Sequence, residues 1–181
     1  MSEYDFEWYL DQMNIFFLHP NPRRCARWHC DKHVVKMILE SCQLLYTCHW
    51  IMSGDLPEPP YIHCAPNRGY KPTHANHPCG IWLRESLDNY RWLIQLTYEL
   101  CLEYEFRYGK KHKCEDHVEW LAAVEPLNLK SVGFTPPKCA MPEEYKRKNP
   151  VVAYRLYYKF DKDKVRGIVQ YKKRHRPHFL T

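Results

Sequence analysis

Between Asn21 and Met52 the chain repeats small and apolar side chains at three- and four-residue steps: Val34, Val35, Ile38, Cys42, Leu45, then Cys48 or His49. That spacing builds one face of an α-helix. Asn21 before Pro22 supplies a capping side chain and a proline suited to a first turn, and Gly54 ends the run. A second run carries the same period from Pro78 through Ile81, Trp82, Leu87, Trp92, Leu96 and Leu100 or Cys101 to a closing glycine, Gly109. Two helices of that length bury their apolar stripes against each other. The expected fold is mostly α, a single compact helical domain with two long antiparallel helices and long irregular loops.

The remaining segments fit around that pair. Met13–Leu18, MNIFFL, is apolar and too short for a helix, so it reads as a brief strand or an extended core segment. Asp55 to Asn76 and Pro126 to Pro150 are rich in turn residues and lack a period, which marks long connections, the second with one turn of helix. A short helix is expected over Glu115 to Val124 and a last one from Val151 to Phe160. Residues 1–12 form an acidic extension, residues 13–181 the domain, and from about Lys162 the chain becomes a basic arm.

The net charge of +6 points weakly to an anionic partner. Its distribution says more. Arg155, Lys172, Lys173, Arg174 and Arg176 lie near aromatic residues toward the C-terminus, a mixture suited to phosphates and bases, although a solubilising tail reads the same way on charge alone. Tyr157, Tyr158 and Phe179 are candidates to stack on a base, and the two tyrosines are equally candidates for the core. Nine cysteines contain no Cys-x-x-Cys pair, which excludes a zinc ribbon and a thioredoxin motif. Without a signal-peptide pattern they read as reduced thiols of an intracellular protein, cytoplasmic or nuclear, several of them core residues. No apolar run is long enough to span a membrane.

The chemistry concentrates in WHCDKHVVKMILE, Trp28 to Glu40. His29, His33, Lys36 and Glu40 follow one another at steps of four, three and four, which on a continuous helix makes one polar stripe. The alternative is a solvated helix face. The segment YKPTHANHP adds His74, Asn76 and His77, with Arg84 and Glu85 just beyond, and convergence of the two would line a cleft with imidazole, carboxylate and cations. Histidines at i and i+4 also raise a metal alternative on His29, His33, His74 and His77, although HCDKH lacks the glutamate after its first histidine that the metalloprotease helix uses. There is no P-loop and no dinucleotide-binding glycine pattern.

MNIFFLHPNPRRCARWHCDKHVVKMILE, and later NHPCGIWLRESLDNYRWLIQLTYELCLEYEFRYG with a closing AYRLYY, resemble the pyrimidine dimer DNA glycosylase family, which includes phage endonuclease V, and most closely its small viral and bacterial relatives. The resemblance implies an endonuclease V-like helical fold and a DNA N-glycosylase, with or without cleavage at the resulting abasic site. It also implies duplex DNA with a flipped-out base as substrate, and no cofactor. In that family a long helix carries a histidine and, seven residues on, the catalytic glutamate. His33 and Glu40 have that spacing, so the resemblance implies Glu40 as the carboxylate supporting the sugar, with His33, Lys36 and His29 beside it. It leaves His74, Asn76, His77, Arg84, Arg155, Lys172, Lys173, Arg174 and Arg176 to hold DNA.

Two departures stand out. The family's nucleophile is the α-amine of an N-terminal threonine uncovered by methionine removal, whereas twelve residues here precede the aligned Met13. The arginine before the family's glutamate is Leu39. Either Lys36 or Lys32 replaces the amine, or activated water does. A metal-dependent hydrolase or nuclease, and a non-catalytic DNA-binding or virion-associated protein, are the rival readings. Lesion and oligomeric state are not fixed by these residues.

Overall fold

A computed structural model describes residues 13–54 and 69–181. Over these residues the chain is helical and contains no strand, a single domain consistent with an endonuclease V-like fold. The acidic extension and most of the first long loop lie outside the described residues.

Met13–Leu18 is extended rather than a strand, and every side chain in it is buried. Phe17 stacks on Trp92 with ring centroids 4.3 Å apart, and the Trp92 indole N–H donates to the Pro20 carbonyl. The apolar run is thereby the inner lining of the domain. Asn21 caps α1, Pro22–Trp28, by accepting from the Arg24 N–H, with proline in the first turn as expected.

The continuous helix expected from Asn21 to Met52 is broken. His29 and Cys30 are extended, with ψ of 134° and 166°, and α2 begins anew at Asp31 and runs to Ser53. Neither glycine nor proline marks the break. It is held by tertiary bonds: the Tyr158 hydroxyl accepts the Cys30 N–H at 2.7 Å, and the Asp31 N–H donates to the Gln170 carbonyl. His29 therefore does not share a helix with His33, Lys36 and Glu40. Val35, expected on the apolar face, is 39% exposed, while Val34, Ile38, Cys42, Leu45 and Cys48 are buried as the period requires.

The second long run also divides, into α3, Pro78–Leu83, and α4, Leu87–Tyr108. Ser86 makes the break by accepting from the Asp88 N–H, a helix N-cap inside what reads as one amphipathic pattern. Gly109 closes α4 with φ of 71°, the left-handed conformation its C-cap role requires. The long helices α2 and α4 pack on each other, and α1 packs on α4. Gly69 lies so close to the Tyr46 ring that a β-carbon there would overlap it.

The short helix α5 covers Glu115–Ala123, and the long Pro-rich connection contains one 3₁₀ turn at Glu143–Tyr145. The last helix, α6, Pro150–Tyr157, passes into a π-helix over Tyr158–Val165 rather than ending at Phe160. The C-terminal segment is folded onto the domain, with Val169 and Leu180 buried.

Beneath the long helices lies a charged knot. The fully buried Arg107 of α4 donates from Nε to Glu103 at 2.8 Å, from Nη1 to Asp31 at 2.9 Å and from Nη2 to the Arg27 carbonyl at 3.2 Å. One guanidinium thus ties the start of α2 to α1 and α4. Burial opposes the Glu103 charge, but bonds from Arg174 and Arg107 outweigh it and hold the carboxyl below its usual range.

Candidate active site

Glu40 is 3% exposed, a depth at which a carboxylate must be paired or hydrogen-bonded. Its Oε2 accepts the backbone N–H of Asn14 at 3.0 Å, and its Oε1 is 3.1 Å from Lys36 Nζ, one turn back on α2. The Lys36 side chain is 44% exposed, so the pair runs from the interior to the surface. Asn14 is fixed in turn: its side chain donates to the Ala140 carbonyl, accepts from the Ile15 N–H, and takes the Cys79 thiol at 3.9 Å. Tyr154 completes this wall by accepting the Ala140 N–H and donating to the Lys138 carbonyl. Sequence reasoning missed Asn14 and Tyr154, because neither shares a sequence period with Glu40.

The loop carrying the second histidine pair lies along α2. Thr47 accepts the Thr73 N–H and donates to the Thr73 carbonyl, two turns beyond Glu40. A β-carbon on Gly80 would meet Leu44 of α2, the His74 carbonyl and Arg84 Nη1, all within 3.6 Å, so this short helix needs glycine where the three meet. Arg84 Nη2 donates to the Ala75 carbonyl at 2.6 Å, which makes Arg84 a clamp on the loop. His77 caps α3 through Nδ1, while His74, at φ of 51°, and Asn76 are exposed. Burial, with a positive His74 beside it, lowers the His77 pKa. The polar part of α2 and the loop are thus neighbours, and Cys79, within electrostatic range of Glu40, joins them.

The two upstream histidines face inward. His33 stacks on Phe16 with centroids 4.3 Å apart and planes 11° apart. Its Nδ1 is 2.8 Å from the Tyr158 hydroxyl. That hydroxyl already accepts the Cys30 N–H, so its own proton goes to His33 Nδ1 and the imidazole carries its hydrogen on Nε2. Burial, then the positive charges of His29, Lys162, Lys36 and Lys32, push the His33 pKa well below its usual value, so His33 is a neutral hydrogen-bond donor and not a cation. His29 is wholly buried, donates from Nδ1 to the Cys25 carbonyl at 2.7 Å, and leaves Nε2 without a hydrogen-bond partner. Its place is the core beneath the site.

Burial lowers the His29 pKa to about 4, against about 6.5 for an exposed imidazole. The native state therefore disfavours the proton that the unfolded chain takes up. Stability from this residue is complete above pH 6.5 and is lost as pH falls toward 4, a cost on the order of 3 kcal/mol. Urea unfolding at steps between pH 7.5 and 4.5 should show that decline, in a window above the one in which Glu103 is protonated. A flat profile down to pH 5 would contradict a neutral buried His29.

The metal alternative on His29, His33, His74 and His77 finds no support in this geometry. Among the described residues no group of three or more His, Cys, Asp or Glu side chains is placed to hold a metal ion. His33 Nδ1 is occupied by Tyr158 and His29 Nδ1 by Cys25.

The cations assigned to DNA divide. Arg155 donates to the Leu18 carbonyl and lies 4.9 Å over the Trp28 ring and 5.6 Å over Phe179. Arg174 forms a two-bond fork with Glu103 and stacks 4.0 Å over Phe106. Arg176 pairs with Asp163 and bonds the Val169 carbonyl. These three guanidiniums fasten the C-terminal segment to the domain. Lys172 and Lys173 remain exposed, the latter donating to the Phe106 carbonyl. Lys162 is fully buried beside Asp161, its ammonium 4.6 Å from the Tyr157 ring centre, so the basic arm does not begin there. Tyr157 and Tyr158 are buried and belong to the core, the second of their two readings. Arg23, Arg24 and Arg27 on α1 are exposed and form no ion pair among the described residues, a basic patch that sequence reasoning passed over inside an apolar-patterned run.

The family model described as pyrimidine dimer DNA glycosylase matches residues 13–116, more than half of the chain. That span contains Asn14, His33, Lys36, Glu40 and the loop of His74 and His77. No curated protein and no solved structure matches.

Proposed function

Because the chain belongs to the pyrimidine dimer DNA glycosylase family, we propose that it excises a damaged or modified base from duplex DNA, with Glu40 as catalytic carboxylate and Lys36 as attacking amine. The observation that carries the assignment is the placement of Glu40 between the Asn14 N–H and the Lys36 ammonium. A carboxylate buried at 3% exposure, with one oxygen toward a cation that reaches solvent, is suited to a developing sugar cation. It also accepts the proton that Lys36 must shed before attack.

The Asn14 nitrogen does not serve as the nucleophile in this chain. It is a peptide nitrogen, acylated by Met13, and its lone pair is delocalised into the carbonyl. Lys36 Nζ is the amine next to the carboxylate. Attack at the anomeric carbon forms a C–N bond to the lysine as the bond to the base breaks, and the base leaves with its electron pair and takes up a proton. The lysine adduct then opens to an imine, from which strand cleavage can follow. The neutral His33 donates from Nε2 to a phosphate or sugar oxygen, and exposed cations, Lys172 and Lys173 among them, contact the DNA backbone. The target nucleotide leaves the stack, since the anomeric carbon is hidden in a duplex.

The test uses end-labelled duplexes carrying single lesions, a cyclobutane pyrimidine dimer included, with and without alkali and with borohydride. The expected result is strand cleavage and a borohydride-trapped adduct that disappears in Lys36→Ala. Alkali-dependent breaks without an adduct would assign the attack to water and remove Lys36 from the mechanism. Intact DNA across the panel would favour a binding protein.

A further inference from the structure

At the other end of the domain, away from Glu40's oxygens, thiols from three helices gather. We propose that Cys114 and Cys42 are a peroxide-reactive dithiol, a modification site at the junction of α2 and α5 in which Cys114 reacts first and Cys42 resolves it. The inference rests on that junction and not on the glycosylase reading.

Cys114 is the N-cap residue of α5, where helix N–H groups favour negative charge. Its Sγ lies 3.5 Å from the Tyr70 hydroxyl, its backbone N–H donates to His112 Nδ1 at 3.1 Å, and the Cys42 thiol of α2 hydrogen-bonds with it. Donors from three separate segments thus converge on one sulfur. The hydrogen bond from Cys42 favours the thiolate on Cys114 and keeps the proton on Cys42, lowering one pKa and raising the other. Every other described cysteine is shifted upward, burial being the cause for Cys25, Cys30, Cys48, Cys79, Cys101 and Cys139. Cys114 is 3% exposed, which suits a water-sized oxidant, hydrogen peroxide.

The step balances. The Cys114 thiolate attacks one peroxide oxygen, an S–O bond forms, the O–O bond breaks and hydroxide leaves. Cys42 sulfur then attacks Cys114 sulfur, the S–S bond forms, and the S–O bond breaks to release the second oxygen, which leaves as water with the Cys42 proton. Two thiols are oxidised and one peroxide is reduced to two waters.

The measurement is peptide mapping of the intact full chain after hydrogen peroxide treatment at neutral pH and maleimide quenching. The expected result is a Cys42–Cys114 cross-linked peptide, lost on dithiothreitol treatment, forming at least about tenfold faster than oxidation of the more exposed Cys139. In Cys42→Ala the reaction should stop at a Cys114 sulfenic acid that dimedone captures. Oxidation of Cys139 ahead of Cys114, or pairing of Cys114 with the neighbouring Cys101, would overturn the proposal, and both are read on the unmutated protein.

Discussion

Replacing Glu40 by glutamine is expected to lower the rate of base release by about 10²- to 10⁴-fold while leaving duplex affinity nearly unchanged. The substitution keeps the volume of the side chain and an oxygen able to accept the Asn14 N–H, so the bond that seats α2 against the extended segment survives. It removes the negative charge that Lys36 faces and that a sugar cation would meet. Loss of rate with retained affinity separates a carboxylate acting on the transition state from one that only holds the fold. Single-turnover release from a lesion-bearing duplex, beside a binding isotherm at fixed salt, makes the comparison. Turnover in the glutamine variant within about twofold of the parent would exclude Glu40 from catalysis and favour the non-catalytic reading.

Arg107→Ala is expected to cost about 3 to 5 kcal/mol of unfolding free energy, the largest stability loss anticipated from a single substitution in this chain. The guanidinium is fully buried and bonds Glu103, Asp31 and the Arg27 carbonyl at once. Its removal leaves a cavity and two carboxylates short of a donor. Arg174 still serves Glu103, and the Lys172 N–H still serves Asp31, so the carboxylates are weakened rather than abandoned. Lysine would restore the charge but not the three-way fork, and Arg107→Lys should recover less than half of the loss. Equilibrium denaturation of the three proteins reads the difference. A loss below about 1 kcal/mol for the alanine variant would mean that the surrounding bonds, not Arg107, hold α1, α2 and α4 together.

The resemblance to the glycosylase family, read from MNIFFLHPNP and the later NHPCGIW, is the membership that the family match shows. The helical pattern identified the inner faces of α2 and α4, because burial of Val34, Ile38, Leu45, Leu93 and Leu96 follows directly from a 3.6-residue period. Asn21, Pro22 and Gly109 marked their helix ends, since capping is a local matter of a few backbone groups. The short α5 and the single turn in the Pro-rich connection were legible for the same reason.

What a one-dimensional pattern did not reveal was where a helix stops for the sake of something distant. Cys30 is extended because Tyr158, 128 positions away, takes its N–H, and that break sends His29 into the core instead of placing it above His33. Tertiary structure likewise decided the fate of the cations. Arg155, Arg174 and Arg176 look alike in sequence to the exposed Lys172 and Lys173, but each finds a carbonyl, carboxylate or aromatic face from another segment. The sequence by itself determined the helices, their apolar faces and the His33–Glu40 spacing, all of which depend on neighbours within a few turns. Only the fold placed the Asn14 nitrogen on Glu40 and the Tyr158 proton on His33, because those bonds depend on chain segments that meet through packing and share no local period.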